Sequence, residues 1–172
     1  MKPISTLVPE WERIDLLGAC LSAARRGTDI PEEMGHRLGV VQQEVQSVRR
    51  QEPWRSIVTE FGFEPIDQDI LACCLAPEAE PRLGWMYQEL QSGISSPYPT
   101  PALIREMFVM NAEESFIINQ RLKHDSPLIR SGMIEGRISN IFQPIHPSSR
   151  ACSGLLGWPS TVSIDEIGRA HV

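Results

Sequence analysis

Lysine and aromatic side chains are scarce in this chain of 172 residues, and net positive charge is absent. Only two lysines occur, aromatic residues make up 6% of the sequence, and the formal net charge is −6. Because nucleic-acid affinity comes largely from Lys and Arg side chains that replace counterions on phosphates, this composition argues against a polyanionic partner. Residues 54–91 carry two basic and seven acidic residues, which gives the middle of the chain a charge of −5 and leaves no one-sided basic patch.

A phosphate-binding loop of the Gly-Lys-Ser/Thr type is also missing. The two lysines follow Met1 and Leu122, so the sequence contains no Gly-Lys step. Residues 161–166 mimic the strand that ends in Asp-Glu in many ATPases, but without a phosphate-binding loop this match is incidental. We therefore expect that this chain is not an enzyme and that it does not bind ATP. We also expect it not to bind Mg²⁺, because phosphate oxygens would be needed to complete the coordination shell of that ion.

The four cysteines, at positions 20, 73, 74 and 152, do not form the CxxC frame of a zinc site. Cys20 and Cys74 fall on or beside apolar helix stripes, and no histidine lies near either in sequence to activate a thiol. No secretory signal opens the chain, and no apolar run approaches the roughly 18 residues that span a bilayer. The sequence therefore predicts inert thiols in a cytoplasmic protein, with no membrane partner.

The remaining titratable residues suggest no catalytic constellation. Asp67 and Asp69 are two residues apart, so they point to different sides of a helix and suit capping better than paired acid-base work. The histidines are scattered, without the spacing of four that a helical metal pair needs. Their positions are 36, 124, 146 and 171. We predict no catalytic, cofactor-binding or metal-binding residue.

Apolar residues recur every three or four positions along much of the chain, which predicts a mainly helical (α+β) protein. The predicted helices are 9–24, 40–51, 53–60, 65–75, 81–91, 101–110 and 112–123.

Helix breakers separate these helices, and β-like segments follow the last of them. The stretch 28–39 reads as an irregular connection, and Pro77 is expected to end the fourth helix. Residues 128–130 and 133–138 flank a Ser-Gly turn and predict a small β-hairpin. Several short helices followed by a hairpin describe a winged-helix arrangement.

The predicted domain organisation has four parts. Residues 1–52 form a helical N-terminal segment, and residues 53–142 form a winged-helix domain with a β-hairpin wing. Residues 143–166, rich in Pro, Ser and Gly, form a linker or arm. Residues 167–172 are similar to a translated sequencing adapter and are expected to be foreign to the natural protein.

The segment FGFEPIDQDILACCLAPEAEPRLGWMYQELQ, residues 61–91, resembles a stretch that precedes the ATPase module in a family of bacterial and archaeal AAA-type ATP-binding proteins. Residues 126–132, SPLIRSG, are similar to a hairpin of that family, and Pro99-Thr100 matches its Pro-Thr before a helix. The opening helix resembles the family's ExxRLDLLL pattern through Glu10, Arg13, Asp15, Leu16 and Leu17. In the central block the shared positions are Phe61, Gly62, Pro65, Asp69, Leu71, Leu75, Ala76, Pro77, Glu78, Pro81, Arg82, Tyr87, Leu90 and Gln91.

The resemblance covers about residues 7–166 and implies an N-terminal winged-helix domain of an AAA-type ATPase. In full-length members an ATPase module with ATP and Mg²⁺ follows, and some members accompany contractile injection systems. The resemblance thus predicts a truncated chain whose partner is another protein or the parent's own ATPase module.

Three functions compete at this stage. The first is a non-catalytic adaptor domain of an AAA-type ATPase, the second a stand-alone winged-helix DNA-binding protein, and the third a small cysteine enzyme. In the region 97–123, where a recognition helix would lie, three basic residues are balanced by three acidic ones, which argues against direct DNA readout. The basic residues are Arg105, Arg121 and Lys123, and the acidic residues are Glu106, Glu113 and Glu114.

Overall fold

A computed structural model describes residues 6–158 of the chain, and within this range the chain is mostly helical. The helices are α1 (Val8–Arg26), α2 (Glu32–Arg49), α3 (Trp54–Phe61), α4 (Pro65–Ala79), α5 (Pro81–Leu90), α6 (Pro101–Met107), α7 (Ala112–Arg121), α8 (Pro127–Arg130) and α9 (Ser149–Leu156).

Helix α4 lies at the centre of the core, because every residue from Ile70 to Pro77 is buried. Helices α1, α5, α7, α8 and α9 all pack on it, and α1 also contacts α2 and α6. At Gly18, α1 passes so close to α5 that a Cβ atom would lie 2.3 Å from the sulfur of Met86. Any side chain at position 18 would therefore displace the flexible end of Met86 from this contact.

Several predicted helix boundaries are confirmed. They could be predicted because each depends on a capping residue next to it in sequence. Thr100 accepts a hydrogen bond from the Leu103 amide at 3.1 Å, and Asn111 accepts one from the Glu114 amide at 2.8 Å. The expected capping role of Asp67 is also present, since its carboxylate accepts from the Glu64 amide at 2.8 Å. Gly62 ends α3 in the left-handed conformation, at φ 71°.

The predicted end of α4 at Pro77 is wrong, because the helix continues to Ala79 with this proline inside it. Proline has no N–H, so the carbonyl of Cys73, four residues earlier, loses its helical donor. The hydroxyl of Tyr87 donates to that carbonyl at 2.9 Å. A buried side chain from α5 thus replaces the missing backbone hydrogen bond.

The predicted start of the second helix is also wrong, because α2 begins at Glu32 rather than at residue 40. Gly35 and Gly39 indicated a break, but each costs only about 1 kcal/mol in a helix interior. Pro31 precedes the first turn, and two acidic residues in that turn favour the helix dipole. Contacts with α1 then stabilise the whole helix.

The predicted β-hairpin is not observed among the described residues. Residues 127–130 form the single helical turn α8, which Pro127 opens and Leu128 anchors in the core. A Ser-Pro step favours a helix start, and this signal outweighs the β-like pattern. Residues 131–148 are irregular except for one antiparallel bridge between Ile134 and Pro147.

The segment after Phe142 was expected to be irregular throughout, but part of it is helical. Ser148 caps α9 by accepting from the Ala151 amide at 3.2 Å, and Leu155 and Leu156 are buried. Residues 159–172, which include part of the predicted linker and the adapter-like tail, lie outside the described residues. The division at residue 52 stays a prediction, although α1 shares one hydrophobic core with α3 to α9.

Replacement of Tyr87 by phenylalanine should lower the free energy of unfolding by about 1–3 kcal/mol, because the buried Cys73 carbonyl loses its donor. Denaturant unfolding of both proteins measures this loss. The matched background is Pro77→Ala, which restores a backbone N–H to the same carbonyl. There Tyr87→Phe should cost clearly less, and an equal cost in the two backgrounds would show that this hydrogen bond does not replace the missing one.

Candidate functional site

A buried carboxylate ties the first three helices together. Glu10 on α1 is 1% exposed, and Arg49 at the end of α2 donates to both of its oxygens, Nε to Oε2 at 2.8 Å and Nη2 to Oε1 at 2.9 Å. The indole N–H of Trp54, at the start of α3, donates to Glu10 Oε2 at 2.9 Å. The guanidinium of Arg49 also lies 5.6 Å from the Trp54 ring centre. Both residues that donate hydrogen bonds to Glu10 lie about 40 residues further along the chain.

The same arginine extends this network to α4. Arg49 Nη1 donates to Asp69 Oδ1 at 2.8 Å, and Arg13 of α1 donates to the same oxygen at 2.9 Å. Burial would lower the pKa of Arg49, but the hydrogen bonds and charges of Glu10 and Asp69 outweigh it and raise that pKa. We call Glu10, Arg13, Arg49, Trp54 and Asp69 the ion-pair network.

A second buried carboxylate fixes α7 on α4. Asp67 is 0% exposed, and Arg121 Nε donates to its Oδ1 at 2.8 Å, while Arg121 Nη2 donates to its Oδ2. These hydrogen bonds raise the pKa of Arg121. Asp67 and Asp69 therefore point to different partners, and neither is placed for paired acid-base work.

Helices α6 and α7 form a helix-turn-helix unit with a turn of four residues between them. In DNA-binding proteins of this design the second helix enters the major groove. The solvent face of α7 instead carries Phe116, which is 61% exposed, Ile117, and the acidic residues Glu113 and Glu114. Its last arginine, Arg121, points to Asp67.

An open apolar groove of about 880 Å³ lies between α1, α2 and the α6–α7 unit. Phe142, 62% exposed, is one of the large hydrophobic side chains on its rim. The apolar and sulfur-bearing residues that line it are Leu17, Cys20, Leu21, Ala24, Ile30, Leu38, Ala102, Met107, Val109, Met110, Ile141 and Phe142.

Val109 stands out on this rim because its backbone is strained. Its φ of 51° lies in the left-handed region, which β-branched residues rarely adopt, and its side chain is 85% exposed. Glycine or asparagine would satisfy the same turn with less strain. A strained and exposed valine therefore marks this turn as a candidate contact site.

A second pocket, of about 420 Å³, adjoins the groove, and Ile141 lines both. We call it the polar pocket for its charged and amide side chains, although Pro101, Leu122, Ile129 and Ile138 line it as well. Lys123, His124 and Arg137 line the pocket together with the amides of Asn119 and Asn140, and no carboxylate lines it. Within residues 6–158, neither Lys123 nor Arg137 forms an ion pair. The pocket is thus a local positive region on an acidic protein.

The cysteines do not assemble a nucleophilic site in the described part of the chain. Cys73 and Cys74 are fully buried in α4, and burial raises the pKa of both thiols well above the usual range. Burial, followed by the charges of Glu78 and Glu135, raises the pKa of Cys152 to about 11. Cys20 lies half-buried in the groove.

The histidines are separated from one another. His36 is exposed on α2, His124 lines the polar pocket, and the ring centre of His146 lies 4.4 Å from that of Tyr98. His171 and the Asp-Glu segment 161–166 lie outside the described residues. Across residues 6–158 no three His, Cys, Asp or Glu residues cluster as metal ligands would. In the same range no helix combines the length and apolarity that crossing a bilayer requires.

The sequence places the chain in a known structural class. Residues 10–144 match the family model described as "winged helix domain, variant", so the chain belongs to the winged-helix domain family in its variant form. The match spans both the ion-pair network and the α6–α7 unit. No curated protein and no solved structure matches the chain significantly.

The sequence predicted most of the helices that carry the ion-pair network and the groove, but it did not indicate Arg49 of the network or Val109 of the groove rim. Arg49 carried no local signal, because its partners Glu10 and Asp69 lie 39 and 20 residues away. Val109 was placed inside a helix that ends two residues earlier. Phe116, Ile117 and Ile118 are three consecutive large apolar residues, and on one short helix they cannot all face the core. The sequence therefore indicates that some of them are exposed, and these are Phe116 and Ile117.

Replacement of Arg49 by methionine should lower the free energy of unfolding by about 3–5 kcal/mol, because it leaves the buried Glu10 carboxylate without its cation. The matched control is Arg37→Met. Arg37 also lies on α2 and also donates two hydrogen bonds to a glutamate of α1, Glu12, at 2.6 and 2.7 Å, but this pair is exposed. Its loss should cost about 1 kcal/mol or less.

Chemical denaturation at neutral pH compares the two variants with the parent chain. Equal losses would show that burial of the Glu10 pair adds nothing to its stabilising effect.

Proposed function

We propose that this chain is a non-catalytic partner-binding domain, the N-terminal winged-helix adaptor of an AAA-type ATP-binding protein. The resemblance of residues 61–91 to such ATPases supports this parent, and its contractile-injection members suggest the type of machine. Three of the residues that carry the resemblance, Glu10, Arg13 and Asp69, belong to the ion-pair network. In this proposal the protein acts in the cytoplasm and binds protein rather than nucleic acid.

The observation that carries the proposal is the solvent face of α7. A DNA-reading helix presents basic and amide side chains to the bases and phosphates. The first two turns of α7 present two aromatic or aliphatic side chains and two carboxylates, and its own arginine is engaged by Asp67, which leaves only the amides of Asn119 and Gln120 near its end as groups suited to base readout. Exposed apolar side chains on a helix surface are typical of a protein-binding site.

Two observations support a non-catalytic role in this proposal: the state of the thiols and the lack of a phosphate-binding motif. The pKa values of three of the four thiols are raised, so these groups stay protonated and poorly nucleophilic at neutral pH. The sequence has no Gly-Lys step for ATP. ATP and Mg²⁺ therefore belong to the proposed parent and to none of these residues.

The second candidate is a stand-alone winged-helix DNA-binding protein. It is favoured by the helix-turn-helix arrangement of α6 and α7 and by Lys123 and Arg137 in the polar pocket. Two cations supply few of the six to ten phosphate contacts that give many DNA-binding proteins their affinity. The acidic start of α7 opposes even this contribution.

Fluorescence anisotropy with labelled duplexes of mixed sequence separates the two candidates. At about 150 mM salt we expect no saturable binding below about 100 μM protein, because even non-specific DNA binders reach dissociation constants of that order or lower. The matched control is the double variant Glu113→Lys, Glu114→Lys, which reverses the charge at the start of α7. This variant should bind measurably at about 50 mM salt.

Binding of the parent chain at low micromolar concentration, with an affinity that falls steeply as salt rises, would contradict the adaptor proposal. It would favour the stand-alone DNA-binding protein instead.

The ATPase part of the proposal is tested at the gene. The genomic reading frame beyond the codon of Glu166 should continue into a Gly-Lys-Thr or Gly-Lys-Ser loop. A stop codon within a few residues, in the natural locus, would contradict an AAA-type parent while leaving the winged-helix assignment intact.

A further inference from the structure

The apolar groove and the polar pocket form one continuous surface. Ile141 lines both, while the adjacent residues Pro101 and Ala102 at the start of α6 line the pocket and the groove respectively. The Ala102 amide donates to the Ile141 carbonyl at 2.9 Å, which holds the shared wall in place. A ligand that fills the groove would reach the pocket across this shared wall.

The charges along this surface are unevenly distributed. In the groove, Glu106 is paired with Arg25 at 2.9 Å, and Asp29 lies beside Ile30. Arg105 lines the same groove, and among the described residues it forms no ion pair. Lys123 and Arg137 follow in the pocket, where no carboxylate is present. The pocket end of the surface therefore complements a small group of negative charges.

The apolar part complements large hydrophobic side chains. Val109 and Phe142 project from the rim with most of their surface exposed. The open groove, of about 880 Å³, has room for several side chains of a partner rather than for one. An amphipathic helix in a groove is a common way to fill such a site.

We propose that this surface binds a segment of a partner protein in which large apolar side chains lie next to a short run of Asp or Glu. The apolar side chains occupy the groove, and the carboxylates meet Lys123 and Arg137. This inference rests on the proposed partner-binding function and specifies the chemistry of the partner. A few carboxylates match a pocket with two cations, whereas a DNA backbone would also meet Glu113 and Glu114 on α7.

Selection from a phage library of random 16-residue peptides on the immobilised full chain tests this proposal. The enriched peptides should combine large apolar residues with adjacent Asp or Glu. Synthetic copies are then titrated by fluorescence anisotropy against the parent chain and two double variants. One removes the apolar rim (Val109→Ser, Phe142→Ser), and the other reverses the pocket charge (Lys123→Glu, Arg137→Glu).

Each double variant should weaken peptide binding by about tenfold or more, because it removes either the apolar anchors or the charge complement. The control variant Trp85→Ser, Arg50→Glu changes an exposed tryptophan and an exposed arginine outside both sites and should bind within about twofold of the parent. Unchanged denaturation midpoints show that all variants are folded.

Four results would overturn the proposal. The enriched peptides could lack acidic residues, the library could yield no binding peptide, binding could depend on Trp85, or sedimentation could reveal a dimer of the chain itself that the Val109→Ser, Phe142→Ser variant abolishes. Dependence on Trp85 would leave the partner-binding function standing. Duplex DNA binding that requires Lys123 and Arg137 would overturn both this inference and the proposed function.

Discussion

The structure depends on a carboxylate that is buried away from solvent. Glu10 is tolerated inside the protein only because Arg49 and Trp54 supply three hydrogen bonds and a positive charge. Neither donor is near Glu10 in sequence, so the carboxylate is satisfied only when α1, α2 and α3 have reached their native positions. Arg49 then reaches Asp69 and connects this arrangement to α4, the most buried helix. The ion pairs of Arg49 and Arg13 with Asp69 therefore add to the shared hydrophobic core in linking the two parts of the chain that the sequence suggested were separate.

The position of the groove follows from this linkage. One wall consists of side chains from α1 and α2, among them Leu17 and Leu38, and the other consists of α6 and the turn at Val109. The ion-pair network fixes the first wall on α4. Asp67 fixes α7, and with it the second wall, on the same helix through Arg121. Two aspartates spaced two residues apart on α4 thus hold opposite sides of the surface to which we assign partner binding.

The sequence allowed those parts of the fold to be predicted that depend on neighbouring residues. Thr100 and Asn111 cap the helices they were expected to cap, since a cap needs only the next three residues. Pro77 could not be interpreted correctly, because the donor that compensates for it, Tyr87, comes from another helix. The hairpin was mispredicted because Pro127 starts a helical turn whose stability comes from the burial of Leu128. The candidate site lay beyond local reasoning for the same reason, since its walls meet only in the folded chain.

Native-state hydrogen exchange tests most directly whether the ion-pair network joins the chain into one cooperative unit. Helix α2 buries few apolar side chains, chiefly Val41 and Val45, so burial alone would leave it easily opened. If the network couples it to α4, the amides of these two valines exchange with the same free energy of opening as those of Leu71 and Leu75. Opening of α2 at a free energy several kcal/mol below that of α4 would contradict the account.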